Sequence, residues 1–395
     1  MEMSASRSKR IFGLDFLRAA AISLVFLAHS EIFLHTLGIS STLFHYAGFQ
    51  GVEIFFALSG FLIGSILMKG NITSPQELFR FYSRRWMRTF PAFYTAFILL
   101  YFFYKPDLYS ALSVGSFTAN LTPSNSHDGL PFFGVSWSLA IEEWFYLLLG
   151  IALLTFGCNA RVVFCLWLVA LSSRLAFLAT TNQATYDIAH TTVFLRLDAL
   201  MVGVFAASAR LHYSQMSSKL LGMLRFVYAC GLAVGLAVWI GYPWIQYNSK
   251  IFSAVFLPLN SVFLALFILD FSSTPKFLDR LSRKIFEIPK KSITFLSAIS
   301  YSLYLYHLEL IRFSNNFSQL NEINRFLIAA SLSILAAYFS YILIEKPFLS
   351  LRDNAFTPNK QDRLRQWYNA FRRGAVFQCN REILMIEKIK IKNKK

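Results

Sequence analysis

Charge is what this chain of 395 residues has least of: Asp, Glu, Lys and Arg together make up 15% of it, against about 25% in soluble domains. With 55% hydrophobic residues and a mean hydropathy of +0.48, a water-soluble globule of two or three domains, each of roughly 150 residues, is excluded. Disorder is excluded by 42 Phe, 18 Tyr and 7 Trp, which bring more apolar surface than a disordered segment carries. Cysteine is scarce as well. Cys158, Cys165, Cys230 and Cys379 fall in or beside apolar runs or in the terminal tail without CxxC spacing, so neither a disulfide scaffold nor a zinc site is indicated. No HExxH or comparable ligand spacing occurs, and no metal is expected. No repeat period and no similarity between the halves is visible, which weighs against inverted-repeat transporters. No small-residue cleavage pattern follows the first apolar run, so it is expected to be a retained helix and not a signal peptide.

What is present is a series of long apolar runs. A spanning helix needs about 20 mainly apolar residues, and such runs occupy 14–33, 48–68, 89–104, 134–156, 162–179, 193–211, 226–241, 251–271, 295–313 and 326–344. The sequence predicts an all-α polytopic membrane protein of about ten helices, with a membrane domain over 1–350 and a basic tail over 351–395. Lys and Arg number 38 against 21 Asp and Glu, a net charge of +17. That excess suits nucleic acid or a membrane topology, and its distribution decides. If the N-terminus is cytoplasmic, only Lys105 and Lys250 fall in outer loops, and Arg18, Arg174, Arg196, Arg312 and Arg325 lie in or at the ends of spans; every other Lys and Arg is inside. Both termini are then cytoplasmic, the bilayer is the partner of the basic surface, and no nucleic acid is expected. The tail, ending REILMIEKIKIKNKK, is either a solvated basic segment or a short interfacial helix on an anionic leaflet.

Ionisable residues inside spans cost several kcal/mol on insertion scales, about 3 each, so each is a functional candidate. Arg18 and His29 are separated by a rise of roughly 16.5 Å and about 20° of rotation, and so share one helix face. That spacing matches an anionic group held near one surface and a reactive atom about three turns deeper, the geometry of a phosphopantetheine arm. Arg18 can also simply snorkel, and His29 can be a structural hydrogen-bonder. In GVEIFFALSGFLIG, Glu53 and Ser59 are the polar residues, and Gly51, Gly60 and Gly64 permit close helix packing or a local break. Arg84, Arg85 and Arg88 precede Pro91, expected in the first turn of the third span, where an arginine cluster suits phosphate groups as well as plain positive-inside topology. In SWSLAIEEWFYLLL, Trp137 precedes Glu142 and Glu143, which point about 100° apart. One of them is expected to orient a histidine, with Arg174 or Arg196 as alternative structural partners. Tyr301, Tyr304 and His307 share a side of the ninth run at i, i+3 and i+6, followed by Glu309, and Glu345 ends the tenth.

The segments RAAAISLVFLAH, GVEIFFALSGFLIG, SRRWMRTFPAFY, SWSLAIEEWFYLL, ISYSLYLYHLEL and IEKPF, taken in order over about residues 11–350, resemble the acyltransferase-3 family of integral membrane acyltransferases. The resemblance implies a ten-helix enzyme of the bacterial plasma (inner) membrane. It would take an acyl group, usually acetyl, from cytoplasmic acyl-CoA as a co-substrate, with no permanently bound cofactor, and deliver it to a hydroxyl of an extracytoplasmic glycan or glycolipid such as a surface polysaccharide, lipopolysaccharide or lipid-linked precursor. It implies that His29 is the essential histidine and Arg18 its motif partner, and it favours Glu142 over Glu143. Arg84, Arg85 and Arg88 with Arg18 are then expected to hold CoA phosphates, and Glu142 to orient His29 as general base. Many members have Asp where this chain has Glu53, and some carry a hydrolase-like C-terminal domain where this chain has a basic tail. The rival expectation is a proton-coupled transporter that uses His29, Glu142 and His307 as a relay.

Overall fold

The computed structural model describes residues 11–35, 38–67, 72–122, 132–157, 159–181, 186–210, 217–242, 249–273 and 290–356. Cys158, Cys379 and residues 357–395 of the expected tail lie outside the described residues. Among those described, every regular element is helical: α1 (Phe12–His29), α2 (Glu31–Leu34), α3 (Ser41–Leu67), α4 (Pro75–Tyr104), α5 (Leu108–Gly115), α6 (Ser136–Phe156), α7 (Ala160–Thr180), α8 (Tyr186–Thr191), α9 (Val193–Arg210), α10 (Ser218–Gly241), α11 (Leu257–Ser273), α12 (Lys290–Asn315), α13 (Glu322–Ser340) and α14 (Lys346–Phe356). Helices satisfy their backbone groups internally, as hydrocarbon requires. By length and composition, seven helical segments can cross a membrane, and the chain is an all-α polytopic membrane protein. The remaining runs of the sequence are also helical, in α4, α9 and α12, but they carry more polar and charged residues. Residues to Phe348 form one compact unit and those from Leu349 a second; within the second, Arg352 pairs with Asp353 at 2.8 Å.

Two boundaries differ from the sequence reading in ways that move candidate residues. The first run breaks at Ser30, whose Oγ bonds the carbonyl of Phe26 at 2.8 Å, so His29 ends α1 instead of lying within it. The third run is longer by a whole amphipathic stretch, because Ser74-Pro75-Gln76-Glu77 starts α4 as a capping box. The Ser74 side chain accepts from the Glu77 amide at 3.3 Å, and the Glu77 carboxylate accepts from the Thr73 amide at 2.7 Å. Partial burial pushes the Glu77 carboxyl up, but these hydrogen bonds with Thr73 and Ser74 outweigh it and hold it below the usual carboxylate value. Arg84, Arg85 and Arg88 therefore sit in mid-helix, and Pro91 is internal to α4, not in its first turn.

Packing rests on bare backbone contact. A Cβ on Gly60 of α3 would stand 1.9 Å from the Leu200 carbonyl oxygen of α9, and one on Gly203 of α9 would stand 2.3 Å from the Ala57 carbonyl oxygen. Gly51 meets α1 in the same way, 2.7 Å from the Ala21 carbonyl oxygen. Of the two readings of these glycines, close packing holds, since α3 runs unbroken. Around this seam Phe56, Phe93, Phe133, Phe145 and Leu200 are fully buried in one apolar core. The close approach of α3 to α9 is what brings Glu53 onto Arg196.

Candidate active site

Seating α1, α3, α4, α6 and α12 together turns their polar residues inward into two cavities. The first, of about 90 Å³, is lined by Arg18, Ser59, Arg85, Arg88, Thr89 and Glu142, with Ser138, Ser300, Tyr301, Tyr304 and several apolar side chains, Val52 and Phe56 among them. The second, of about 910 Å³, is lined by His29, His35, His45, Trp137, His190 and Arg312, among others. Val52 and Tyr304 belong to both linings. These two side chains form the wall between the cavities, and the Tyr304 hydroxyl bonds Ser138 Oγ at 2.6 Å, which fixes the ring.

In the arginine cavity, Glu142 Oε2 accepts from Ser59 Oγ at 2.8 Å and from the Tyr146 hydroxyl at 2.5 Å, with Arg85 at 3.4 Å. Arg85 also donates to the Tyr146 hydroxyl and lies over its ring at 4.2 Å. Arg18 pairs with the buried Asp15 at 3.8 Å, and Asp15 in turn accepts from Ser297 Oγ at 2.9 Å. Glu143 turns the other way and accepts from Thr89 Oγ1 at 3.1 Å, while the Thr89 carbonyl accepts from the Tyr301 hydroxyl at 3.0 Å. Arg84, about 100° round the helix from Arg85, is exposed and outside the cavity lining.

In the histidine cavity, His29 is exposed to the open space while His307, behind it, is fully buried. His307 Nε2 lies 3.1 Å from His29 Nδ1, which is also 3.1 Å from the Val25 carbonyl oxygen. Trp137 packs on His190 with ring centroids 4.9 Å apart, and Glu31 faces His45 at 3.6 Å.

The structure thus separates residues that the sequence reading joined. Glu142 is not the partner of His29: it lies in the other cavity, tied to Arg85, Ser59 and Tyr146, and His307 holds the position beside His29. A three-membered relay of His29, Glu142 and His307 is not assembled. Arg174 and Arg196 are not partners of Glu142 or Glu143 either. Arg174 pairs with Asp198 at 2.5 Å, and Arg196 pairs with Glu53, which also accepts from Ser261 Oγ at 2.9 Å. All four are at most 1% exposed, a neutral buried network that couples α3, α7, α9 and α11. Glu309 takes Arg312 at 3.0 Å, and Glu345 takes Ser302 Oγ at 2.5 Å. Cys165 and Cys230 are free thiols. Among the described residues no group of three His, Cys, Asp or Glu could hold a metal ion.

Sequence reasoning passed over Asp15, Tyr146, Ser138 and His190. Tyr146 stands one helical turn after Glu142, a signal that was available; Asp15 and His190 are revealed only by tertiary contact.

A polytopic helical membrane protein whose buried polar side chains collect in two cavities back to back is the class that fold and site define. The chain belongs to the acyltransferase-3 family: the family model, described as an acyltransferase domain, matches residues 11–345. It is similar to the O-acetyltransferase OatA of Staphylococcus aureus in strains NCTC 8325 / PS 47, COL and MRSA252, in each case 29% identical over 383 residues, which covers 88% of this chain and 59% of the relative. The chain therefore spans about three-fifths of the length of these relatives. No solved structure matches it.

Proposed function

We propose that this protein is a multi-pass O-acyltransferase of the bacterial plasma membrane, taking an acyl group, with acetyl the first candidate, from cytoplasmic acyl-CoA to a hydroxyl of an extracytoplasmic polysaccharide or its lipid-linked precursor. The observation that carries the reading is the pair of cavities meeting at Val52 and Tyr304. One offers arginines to a phosphate-bearing donor. The other offers a histidine to an acceptor, in a space at the upper end of the roughly 300–1,000 Å³ of ligand pockets. The family and the name O-acetyltransferase borne by the relatives support the same reaction class, and the charge distribution supports ten spans with both termini inside.

In this reading Arg18 and Arg88 hold the donor's phosphates. Arg85, held by Glu142 and Tyr146, is assigned to shaping the cavity. Arg84, outside the lining, is dropped from the donor site. As it stands, a cavity of about 90 Å³ is well below the roughly 300–1,000 Å³ of ligand pockets. The donor arm must therefore widen it and part Tyr304 from Ser138 to reach His29. Nδ1 of His29 is engaged by Val25 and His307, which leaves Nε2 for chemistry. Nε2 takes the acceptor's hydroxyl proton as the oxygen bonds the thioester carbonyl carbon. The C–S bond then breaks, and the proton passes to the thiolate, giving an ester and free CoA.

The test is transfer of labelled acetyl from acetyl-CoA to glycan in sealed membrane vesicles. Proton NMR of surface polysaccharide from deletion and complemented strains, before and after mild base, reads the ester directly. Acetyl-CoA consumption that tracks modified glycan is expected. Ester content unchanged by deletion would refute the substrate class, and glycan export without donor consumption would replace the enzyme by a transporter.

A further inference from the structure

We infer that His307 is a positioning residue that holds His29 in the tautomer whose Nε2 is the base, and that it shares the proton His29 takes up. The catalytic part of this rests on the acyl-transfer reading above; the tautomer does not.

The argument runs through donors and acceptors. A neutral imidazole has one N–H and one bare nitrogen, and a backbone carbonyl only accepts. His307 Nδ1 lies 2.8 Å from the Tyr304 carbonyl oxygen and 3.2 Å from that of Leu303, so Nδ1 carries the hydrogen. The described histidines that face carboxylates are His35, His45 and His190. His307, at 0% exposure and without such a partner among the described residues, is neutral, because an unpaired buried cation is costly. Its Nε2 is therefore an acceptor. At 3.1 Å it faces His29 Nδ1, which also faces the Val25 carbonyl oxygen at 3.1 Å. With an acceptor on both sides, His29 Nδ1 must be the N–H. Nε2 of His29 is left with its lone pair, on a side chain exposed to the cavity.

This is the logic of an orienting group behind a catalytic histidine, with a neutral imidazole in place of a carboxylate. When His29 Nε2 gains the acceptor's proton, the Nδ1–H already points at His307 Nε2. That nitrogen spreads the positive charge, or takes the Nδ1 proton outright while His307 keeps its own N–H on Tyr304. The proton returns by the same path as the thiolate leaves, so the pair ends as it began. The alternative is that His307 is only a packed ring between Phe26 and Tyr304, at centroid distances of 6.5 and 5.6 Å.

The test uses the full chain in lipid nanodiscs with ¹⁵N-labelled histidine, His29 being assigned by the signals missing in His29→Gln. Nitrogen shifts report which ring nitrogen bears hydrogen. The wild type is expected to show His29 as Nδ1–H. His307→Gln, whose Oε1 can stand in for Nε2, should keep that tautomer and much of the transfer rate. His307→Leu should mix the tautomers and lower kcat about 10²-fold with the donor KM unchanged. That loss is smaller than the roughly 10⁴ for a charged orienting group, since the Val25 carbonyl remains. A wild-type His29 bearing hydrogen on Nε2 overturns the inference, as do Gln and Leu variants of equal activity. If Leu does not fold, the wild-type and Gln spectra still decide. If the wild type transfers no acyl group, the function falls and the spectra alone judge the tautomer.

Discussion

Glu142→Gln separates two roles for this carboxylate, because a brace of the arginine cavity and an orienter of His29 fail differently. Glu142 Oε2 accepts from Tyr146 at 2.5 Å and Ser59 at 2.8 Å, and faces Arg85 at 3.4 Å. Gln keeps a carbonyl oxygen for the two hydroxyls, so the loss is the charge opposite Arg85. Removing one member of a fully buried pair costs about 3–5 kcal/mol, whereas exposed pairs are worth about 0–1. The Arg85 and Glu142 side chains are 15% and 17% exposed, which places the cost at about 2–3 kcal/mol. Because that penalty is a guanidinium that has lost its nearest carboxylate, Arg85→Met on top of Glu142→Gln should restore part of it, a coupling of about 1–2 kcal/mol. The assay is urea unfolding in detergent followed by tryptophan fluorescence, alongside acetyl transfer. The expected result is a less stable Glu142→Gln with a raised donor KM, and a double variant more stable than the single. A Glu142→Gln protein as stable as wild type, with normal donor KM and lost kcat, would refute the brace and return Glu142 to His29.

His29→Ala should lose about 10²–10⁴ in transfer rate while still folding, with a loss of stability of no more than about 1–3 kcal/mol from the acceptor it leaves unpaired on buried His307; near-normal transfer removes it from the mechanism. Arg18→Lys and Arg88→Lys should raise the KM for acetyl-CoA, because Lys offers a point charge in place of a planar fork, while Arg84→Lys should leave it unchanged; equal constants in all three would return the arginines to topology alone. Gly60→Ala should cost about 1–3 kcal/mol, since its Cβ would meet the Leu200 carbonyl at 1.9 Å, while Gly222→Ala, with nothing within 4 Å, should be neutral or stabilising; urea midpoints compare the two. Tyr304→Phe removes the bond to Ser138 and should speed donor hydrolysis in the absence of glycan, and an unchanged hydrolysis rate would argue against Tyr304 as part of the barrier.

Fold class was legible because membrane insertion reads composition: apolar length and charge placement are local quantities that survive without knowing which helix touches which. The caps were legible for the same reason. Ser74, Asp107, Asn159, Ser217 and Asn321 each accept from a backbone amide of their own helix, a local signal that apolar runs alone do not carry. Periodicity also put Arg18 and His29 on one face, and Tyr301, Tyr304 and His307 on one side of another helix. What it could not supply was partnership. Glu53 finds Arg196 across 143 residues because glycines at 60 and 203 let α3 and α9 touch backbone to backbone, and His29 finds His307 across 278 where α1 packs on α12. Glu142 and Glu143 are adjacent in the chain, yet one joins Arg85 and the other Thr89, as a 100° turn points them at different neighbours. The sequence alone thus determined that ionisable groups are buried in a helical membrane protein, since their cost is paid residue by residue. Which of them share a cavity was decided only by helix packing, because a hydrogen bond reaches about 3 Å and the residues within that reach come from different helices.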